Sequence, residues 1–129
     1  MTRILVVEDD PDVLLLFQEV LVDAGYQVDT AATCEEASQL LELRGYDLLL
    51  SDGRLPDGTG ILLADTAKAK RIPALIVTGY VGWLHERYPK LDINAYNVLR
   101  KPVTPQMLLG AITNTIGGDY RSPKPAAQW

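Results

Sequence analysis

The chain has 129 residues, a net charge of −5 at neutral pH and one cysteine, Cys34. This length predicts a single domain, the negative charge argues against direct nucleic-acid binding, which needs clustered Lys and Arg, and the lone cysteine excludes an internal disulfide. No apolar stretch reaches the ~18 residues of a membrane helix, and no apolar run follows a basic start. We therefore expect a cytoplasmic protein with no membrane contact.

The chain begins with a predicted strand, helix and strand. Residues 4–7 are a short β-rich apolar run that ends in acidic residues. Asp10 and Pro11 are typical of the cap and the first position of a helix, which Gly25 is expected to end. Residues 26–32 then predict a second strand.

The middle of the chain repeats this alternation. Thr33 predicts the cap of the second helix, and Glu36 three residues later completes a capping box. Residues 47–51 form an almost wholly apolar run, as expected for a strand covered by helices on both faces. Residues 61–70 predict a short third helix.

The last part of the chain is less regular. Residues 72–78 and 95–100 predict the fourth and fifth strands, and 104–116 predict a final helix with Thr104 as its cap. The intervening segment 79–94 has the weakest pattern, although a two-turn helix is compatible with residues 81–88.

Five strands that alternate with helices predict an α/β fold, a doubly wound parallel sheet with helices on both faces. We expect the domain to span residues 1–118. Residues 119–129 have a Pro- and Gly-containing composition without apolar periodicity, which predicts a flexible tail or the stub of a linker.

Ligands of such sheets bind beyond the carboxyl ends of the strands, and charged or polar residues occupy those positions here. They are Glu8 and Asp9 after the first strand, Asp52 after the third, Thr78 at the end of the fourth and Lys101 after the fifth. Two carboxylates ~4 Å apart repel by about 4 kcal/mol at an effective dielectric constant near 20. A hard divalent cation would relieve that repulsion, and Mg²⁺ is the natural candidate. A site of this kind suits phosphoryl transfer.

Four segments, "RILVVEDDPDV", "DLLLSDGRLPDGTG", "ALIVTG" and "LRKPV", together resemble the receiver domain of bacterial response regulators in two-component signalling, a CheY-like domain. The resemblance extends over residues 3 to about 117. It implies the flavodoxin-like strand order 2-1-3-4-5. It also implies a phosphorylation switch in which the domain is not an enzyme acting on an external substrate.

The resemblance also implies roles for the acidic residues. Asp52, four residues before Pro56, matches the phosphoacceptor. Glu8 and Asp9 match the pair that holds Mg²⁺, Asp9 more directly and Glu8 through water, and the backbone carbonyl of Arg54 would be a further metal ligand.

On the opposite side of the site, Thr78 matches the hydroxyl that binds the phosphoryl group, and Lys101 matches the lysine that pairs with it. The Lys101–Pro102 bond is expected to be cis. Val98 departs from the family, because an aromatic residue commonly occupies that position and reports phosphorylation to partners. The resemblance places the usual partner-binding surface on the fourth helix, the fifth strand and the fifth helix, and this departure puts that surface in question.

The implied phosphodonor is a sensor histidine kinase or a histidine phosphotransfer protein, and the downstream protein target is unknown. Three alternatives stay open: a receiver-shaped adaptor that acts without phosphorylation, a Mg²⁺-dependent aspartyl-phosphate phosphatase, and a nucleotide-binding flavodoxin-like module. The phosphatase would need an acid at position 54, where this chain has Arg54. The nucleotide module conflicts with the acidic "EDDPD" after the first strand. His85, without a second His or a Cys at ligand spacing, is interpreted as an exposed helix residue.

Overall fold

A computed structural model describes residues 1–117, and the predicted tail 119–129 lies outside this range. The five main strands are β1 (Arg3–Val7), β2 (Gln27–Ala31), β3 (Leu48–Ser51), β4 (Ala74–Thr78) and β5 (Val98–Arg100). The helices are α1 (Pro11–Asp23), α2 (Cys34–Leu43), α3 (Gly60–Ala69), α4 (Val81–Arg87) and α5 (Pro105–Ile116). Within residues 1–117 no helix has the length and apolar character needed to cross a bilayer.

The main strands form one parallel sheet in the order β2-β1-β3-β4-β5. This order confirms the doubly wound fold class. The order reverses at β1, so the carboxyl ends of β1 and β3 flank the crevice in which such sheets bind ligands.

The alternation of side chains along β1 divides the core between the two faces of the sheet. Ile4 and Val6 face the layer formed by α1 and α5, and Leu5 and Val7 face the layer formed by α2 and α3. All four side chains are essentially fully buried. Continuous burial of this kind explains why the strand reads as an uninterrupted apolar run.

A third buried cluster connects α4 to the rest of the domain. Leu84 of α4 is fully buried and packs with residues of α3, β4 and β5. Val98 belongs to this cluster and is also fully buried. Position 98 is therefore part of the core.

The fifth strand is shorter than the sequence predicts. Ile93–Ala95 form a 3₁₀ turn in which the Asp92 side chain accepts a hydrogen bond from the amide of Asn94 (3.0 Å). The strand begins only at Val98. The prediction of a strand over 95–100 was wrong at its start, because this local cap competes with strand pairing.

A short antiparallel hairpin, in which Arg54–Leu55 pair with Gly58–Thr59, connects β3 to α3 and was not predicted. Asp57 lies in the turn of this hairpin and caps α2, although it follows the start of α2 by more than twenty residues in sequence. Its carboxylate oxygens accept hydrogen bonds from the amides of Cys34 (2.8 Å) and Glu35 (3.0 Å). These bonds lower the pKa of Asp57 and connect the loop after β3 to α2.

The surroundings of Cys34 predict slow alkylation of its thiol. Burial of the thiol, with the nearby charge of Asp57, raises its pKa to about 11. Because only the thiolate is nucleophilic, we expect iodoacetamide at pH 8 to modify the folded chain about a hundredfold more slowly than the urea-unfolded chain. The rate for the folded chain should continue to rise above pH 9, where that of the unfolded chain levels off. Equal rates at pH 8, measured by intact mass, would contradict the prediction.

Candidate functional site

The predicted site residues lie together at the carboxyl edge of the sheet. Val7 pairs with Ser51 across β1 and β3, which places the next residues, Glu8 and Asp52, side by side. The amide of Lys101 donates to the carbonyl of Thr78 (2.9 Å), which brings the end of β5 to the same edge. A cavity of about 510 Å³ opens there.

Three of the residues that line this cavity form an ion-pair network. The Lys101 ammonium lies 3.0 Å from Asp52 Oδ2 and 3.2 Å from Glu8 Oε2. Both carboxylate side chains are only 3% exposed, and that of Lys101 is 22% exposed. Burial alone would lower the pKa of Lys101, but the hydrogen bonds and negative charges of Asp52 and Glu8 raise it.

The two buried carboxylates are not balanced by this single ammonium. Burial, together with the hydrogen bond to Asp52 and the charge of Asp52, raises the pKa of Glu8 to about 8. Lys101 acts in the opposite direction without reversing the shift. The site therefore favours an additional positive charge.

The acidic residues can supply oxygen ligands to a metal ion. Glu8, Asp9 and Asp52 each have a carboxylate oxygen within 4.8 Å of the others. Asp9 is exposed, whereas the other two are buried, so the cluster opens to solvent on one side. Carboxylate oxygens that converge in this way suit a hard divalent cation. The amide of Arg54 donates to Asp52 Oδ1 (3.2 Å), which places its backbone beside the cluster.

Thr78, the last residue of β4, is fully buried. Its Oγ1 accepts a hydrogen bond from the amide of Tyr80 (3.0 Å). A Cβ at Gly53, the residue after Asp52, would lie 3.0 Å from this hydroxyl. The absence of a side chain at Gly53 therefore lets the loop after Asp52 approach Thr78 closely.

Two residues that support Asp52 were not identified from the sequence. The Ser51 hydroxyl donates to the Asp52 carbonyl (2.8 Å). A Cβ at Gly60 would lie only 2.2 Å from that same carbonyl oxygen, and the amide of Gly60 donates to the carbonyl of Gly53 (3.0 Å). The glycine two residues after "DG" in "PDGTG" is the signal that could have indicated this close approach.

The aromatic residues after β4 are neither simple core nor fully exposed. Tyr80 is 45% exposed, while Trp83 and Tyr88 are half-buried and pack against the cluster around Leu84. The Tyr88 hydroxyl forms a hydrogen bond with that of Thr59 (3.0 Å), which caps α3. His85 is exposed on α4, as interpreted from the sequence. The Lys101–Pro102 bond is cis, which confirms that prediction.

Comparison with known proteins agrees with this geometry. Residues 4–113 match the family model of the response regulator receiver domain. The chain is 33% identical over 121 residues to the probable transcriptional regulator ycf29 of Porphyra purpurea, with 91% of this chain and 57% of that protein covered. It is 30% identical over 128 residues to the response regulator protein PilR of Pseudomonas aeruginosa, with 98% and 28% covered. The chain thus spans about half or less of the length of these relatives.

Solved structures give the same result. A CheY-like receiver domain protein from Methanospirillum hungatei has a TM-score of 0.79 and 32% identity, with 92% of this chain and 96% of that chain covered. The response regulator TrrA from Thermotoga maritima, solved in complex with Mg²⁺ and BeF, has a TM-score of 0.77 and 28% identity, with 89% and 99% covered. The sheet order, the acidic cluster beside a lysine and the match over residues 4–113 together show that this chain belongs to the response regulator receiver domain family.

Proposed function

We propose that this chain is a phosphorylation switch that accepts a phosphoryl group on Asp52 from a phosphohistidine of a sensor histidine kinase or a histidine phosphotransfer protein. The observation that supports it most is the placement of a buried Asp52 carboxylate 3.0 Å from the Lys101 ammonium and within a group of three acids. Its output is an interaction with a protein target in the cytoplasm, and nucleic-acid or membrane contact is not part of the proposal.

In the proposed reaction, an Asp52 carboxylate oxygen attacks phosphorus as the bond from phosphorus to the histidine nitrogen breaks. The Lys101 ammonium balances negative charge at Asp52. The Thr78 hydroxyl accepts a hydrogen bond from the Tyr80 amide and can at the same time donate its own proton to a phosphoryl oxygen. The carboxylates of Glu8, Asp9 and Asp52, with the Arg54 carbonyl, would hold Mg²⁺. When bound, Mg²⁺ would neutralise the negative charge that spreads over the phosphoryl oxygens.

Two observations support this chemistry over the other functions considered. The Thermotoga relative was solved in complex with Mg²⁺ and BeF, and in this chain the carboxylates of Glu8 and Asp9 converge with that of Asp52. Position 54 carries a guanidinium, which cannot act as the general acid that an aspartyl-phosphate phosphatase would need. Only self-phosphorylation and self-dephosphorylation belong to the proposed activity.

The test is incubation of the full chain with acetyl phosphate and Mg²⁺, followed by intact-mass measurement. We expect one phosphoryl group that is stable in acid and labile in base. Asp52→Asn and chelation of Mg²⁺ should each abolish the label, whereas Asp57→Asn, which changes another carboxylate of the same loop, should retain it. A label that persists in Asp52→Asn would overturn the acceptor assignment, and no label in the wild type would favour the adaptor alternative.

A further inference from the structure

The side chain of Arg54 lies between two aromatic rings of the segment that follows β4. Its guanidinium carbon is 5.1 Å from the centre of the Tyr80 ring and 5.3 Å from the Trp83 ring. Both distances fall within the ~6 Å range of a cation–π interaction. A single cation therefore joins the loop after Asp52 to the start of α4.

This cluster shares a wall with the acceptor site. A cavity of about 500 Å³ beside Arg54 and Trp83 is also lined by Asp9 and Tyr80, and the same two residues line the cavity that contains Asp52. Because the two cavities adjoin, the long side chain of Arg54 can turn from one to the other without passing through the core. Arg54 is exposed, so this movement disturbs only its contacts with the two rings and leaves the buried core unchanged.

We propose that Arg54 is a further phosphoryl-binding residue, and that its guanidinium leaves the Tyr80 and Trp83 rings for the phosphoryl oxygens when Asp52 is modified. This inference rests on the proposed function. A phosphoryl group offers strongly charged acceptor oxygens that the planar guanidinium fork matches in two-point hydrogen bonds. The rings offer only the weaker attraction of their π faces. The anion is therefore the preferred partner of Arg54.

The expected consequence is a change at the surface of α4. Once the Arg54 guanidinium leaves, the face of the Trp83 ring that it covers becomes accessible to solvent and to a protein partner. Val98 is fully buried and has no ring to rotate, so this route does not require the missing aromatic residue. The signal would leave the domain through Tyr80 and Trp83.

The test uses beryllofluoride with Mg²⁺ as the phosphoryl mimic on the full chain carrying Trp129→Phe. Trp83 is then the sole tryptophan. We expect beryllofluoride to increase acrylamide quenching of Trp83 about twofold. In Arg54→Met the quenching should be high from the start and unchanged by beryllofluoride, whose affinity should fall about tenfold. Arg54→Lys, which retains the charge, should recover part of the affinity.

A matched control is available on the same helix. The Arg87 guanidinium lies 6.0 Å from the Tyr88 ring at the end of α4, so Arg87→Met also removes an arginine from an aromatic ring. This variant should retain the full beryllofluoride response of Trp83. Occupancy is followed separately by ¹⁹F NMR. If beryllofluoride binds but the quenching of Trp83 does not change, or if the quenching changes equally in Arg54→Met, the role of Arg54 is overturned and the proposed function stands. If no beryllofluoride binds to the wild type, the proposed function itself is overturned.

Discussion

Gly60→Ala is expected to lower the free energy of unfolding by about 3 kcal/mol, which is the upper part of the usual range for overpacking. The added Cβ would lie 2.2 Å from the Asp52 carbonyl oxygen and 3.1 Å from Ser51 Oγ. The first of these neighbours is backbone, which cannot move away without displacing the loop after Asp52. Urea unfolding monitored by circular dichroism measures the loss as a shift in midpoint.

Gly110→Ala is the matched control for this change. Gly110 is exposed in the middle of α5, and a Cβ there would meet nothing within 4 Å. Alanine should therefore stabilise the chain by about 0.5–1 kcal/mol through its higher helix propensity. Similar unfolding midpoints for the two variants would contradict the close approach at Gly60.

Lys101→Met should cost about 3 kcal/mol of stability in the absence of metal. The substitution leaves Asp52 and Glu8 buried without the ammonium that contacts both of them, and removal of one member of a buried pair leaves an uncompensated charge. Combining it with Asp52→Asn should recover part of the loss, because the carboxylate that has lost its counter-charge is then neutral. Under the proposed function, saturating Mg²⁺ should also recover part of it.

The matching control is Lys70→Met. Lys70 pairs with Glu42 at 2.7 Å, but the side chain of Glu42 is 70% exposed. Such a surface pair contributes less than about 1 kcal/mol. If the two Lys→Met variants unfold at the same urea concentration, the charge network around Asp52 does not contribute as described.

The convergence of Glu8, Asp52 and Lys101 was predictable because it follows from topology. Parallel strands bring their carboxyl ends to one edge, so residues far apart in sequence meet once the strands are identified. The apolar runs identified those strands well. At the start of β5, however, the local cap at Asp92 determined the structure of residues 93–95, and the overall pattern of apolar residues does not report such a cap.

Contacts between exposed side chains were not predictable in the same way. The Asp57 carboxylate caps a helix more than twenty residues earlier in the chain, and Arg54 lies against rings that belong to a later segment. Periodicity describes which face of an element is buried, but it contains no information on which exposed side chains meet. The sequence therefore predicted the residues of the acidic site and missed what surrounds them.

The cap that Asp57 forms on α2 restrains the loop after Asp52 on one side. Toward α2, the loop is held by a carboxylate that accepts two amide hydrogen bonds, and charge-assisted bonds of this kind are stronger than neutral ones. Toward α4, the contacts of the same loop within residues 1–117 include the hydroxyl pair of Thr59 with Tyr88 and the cation–π contacts of Arg54 with Tyr80 and Trp83. We therefore expect a displacement that starts at Asp52 to meet the greater resistance on the α2 side and to pass more readily to α4.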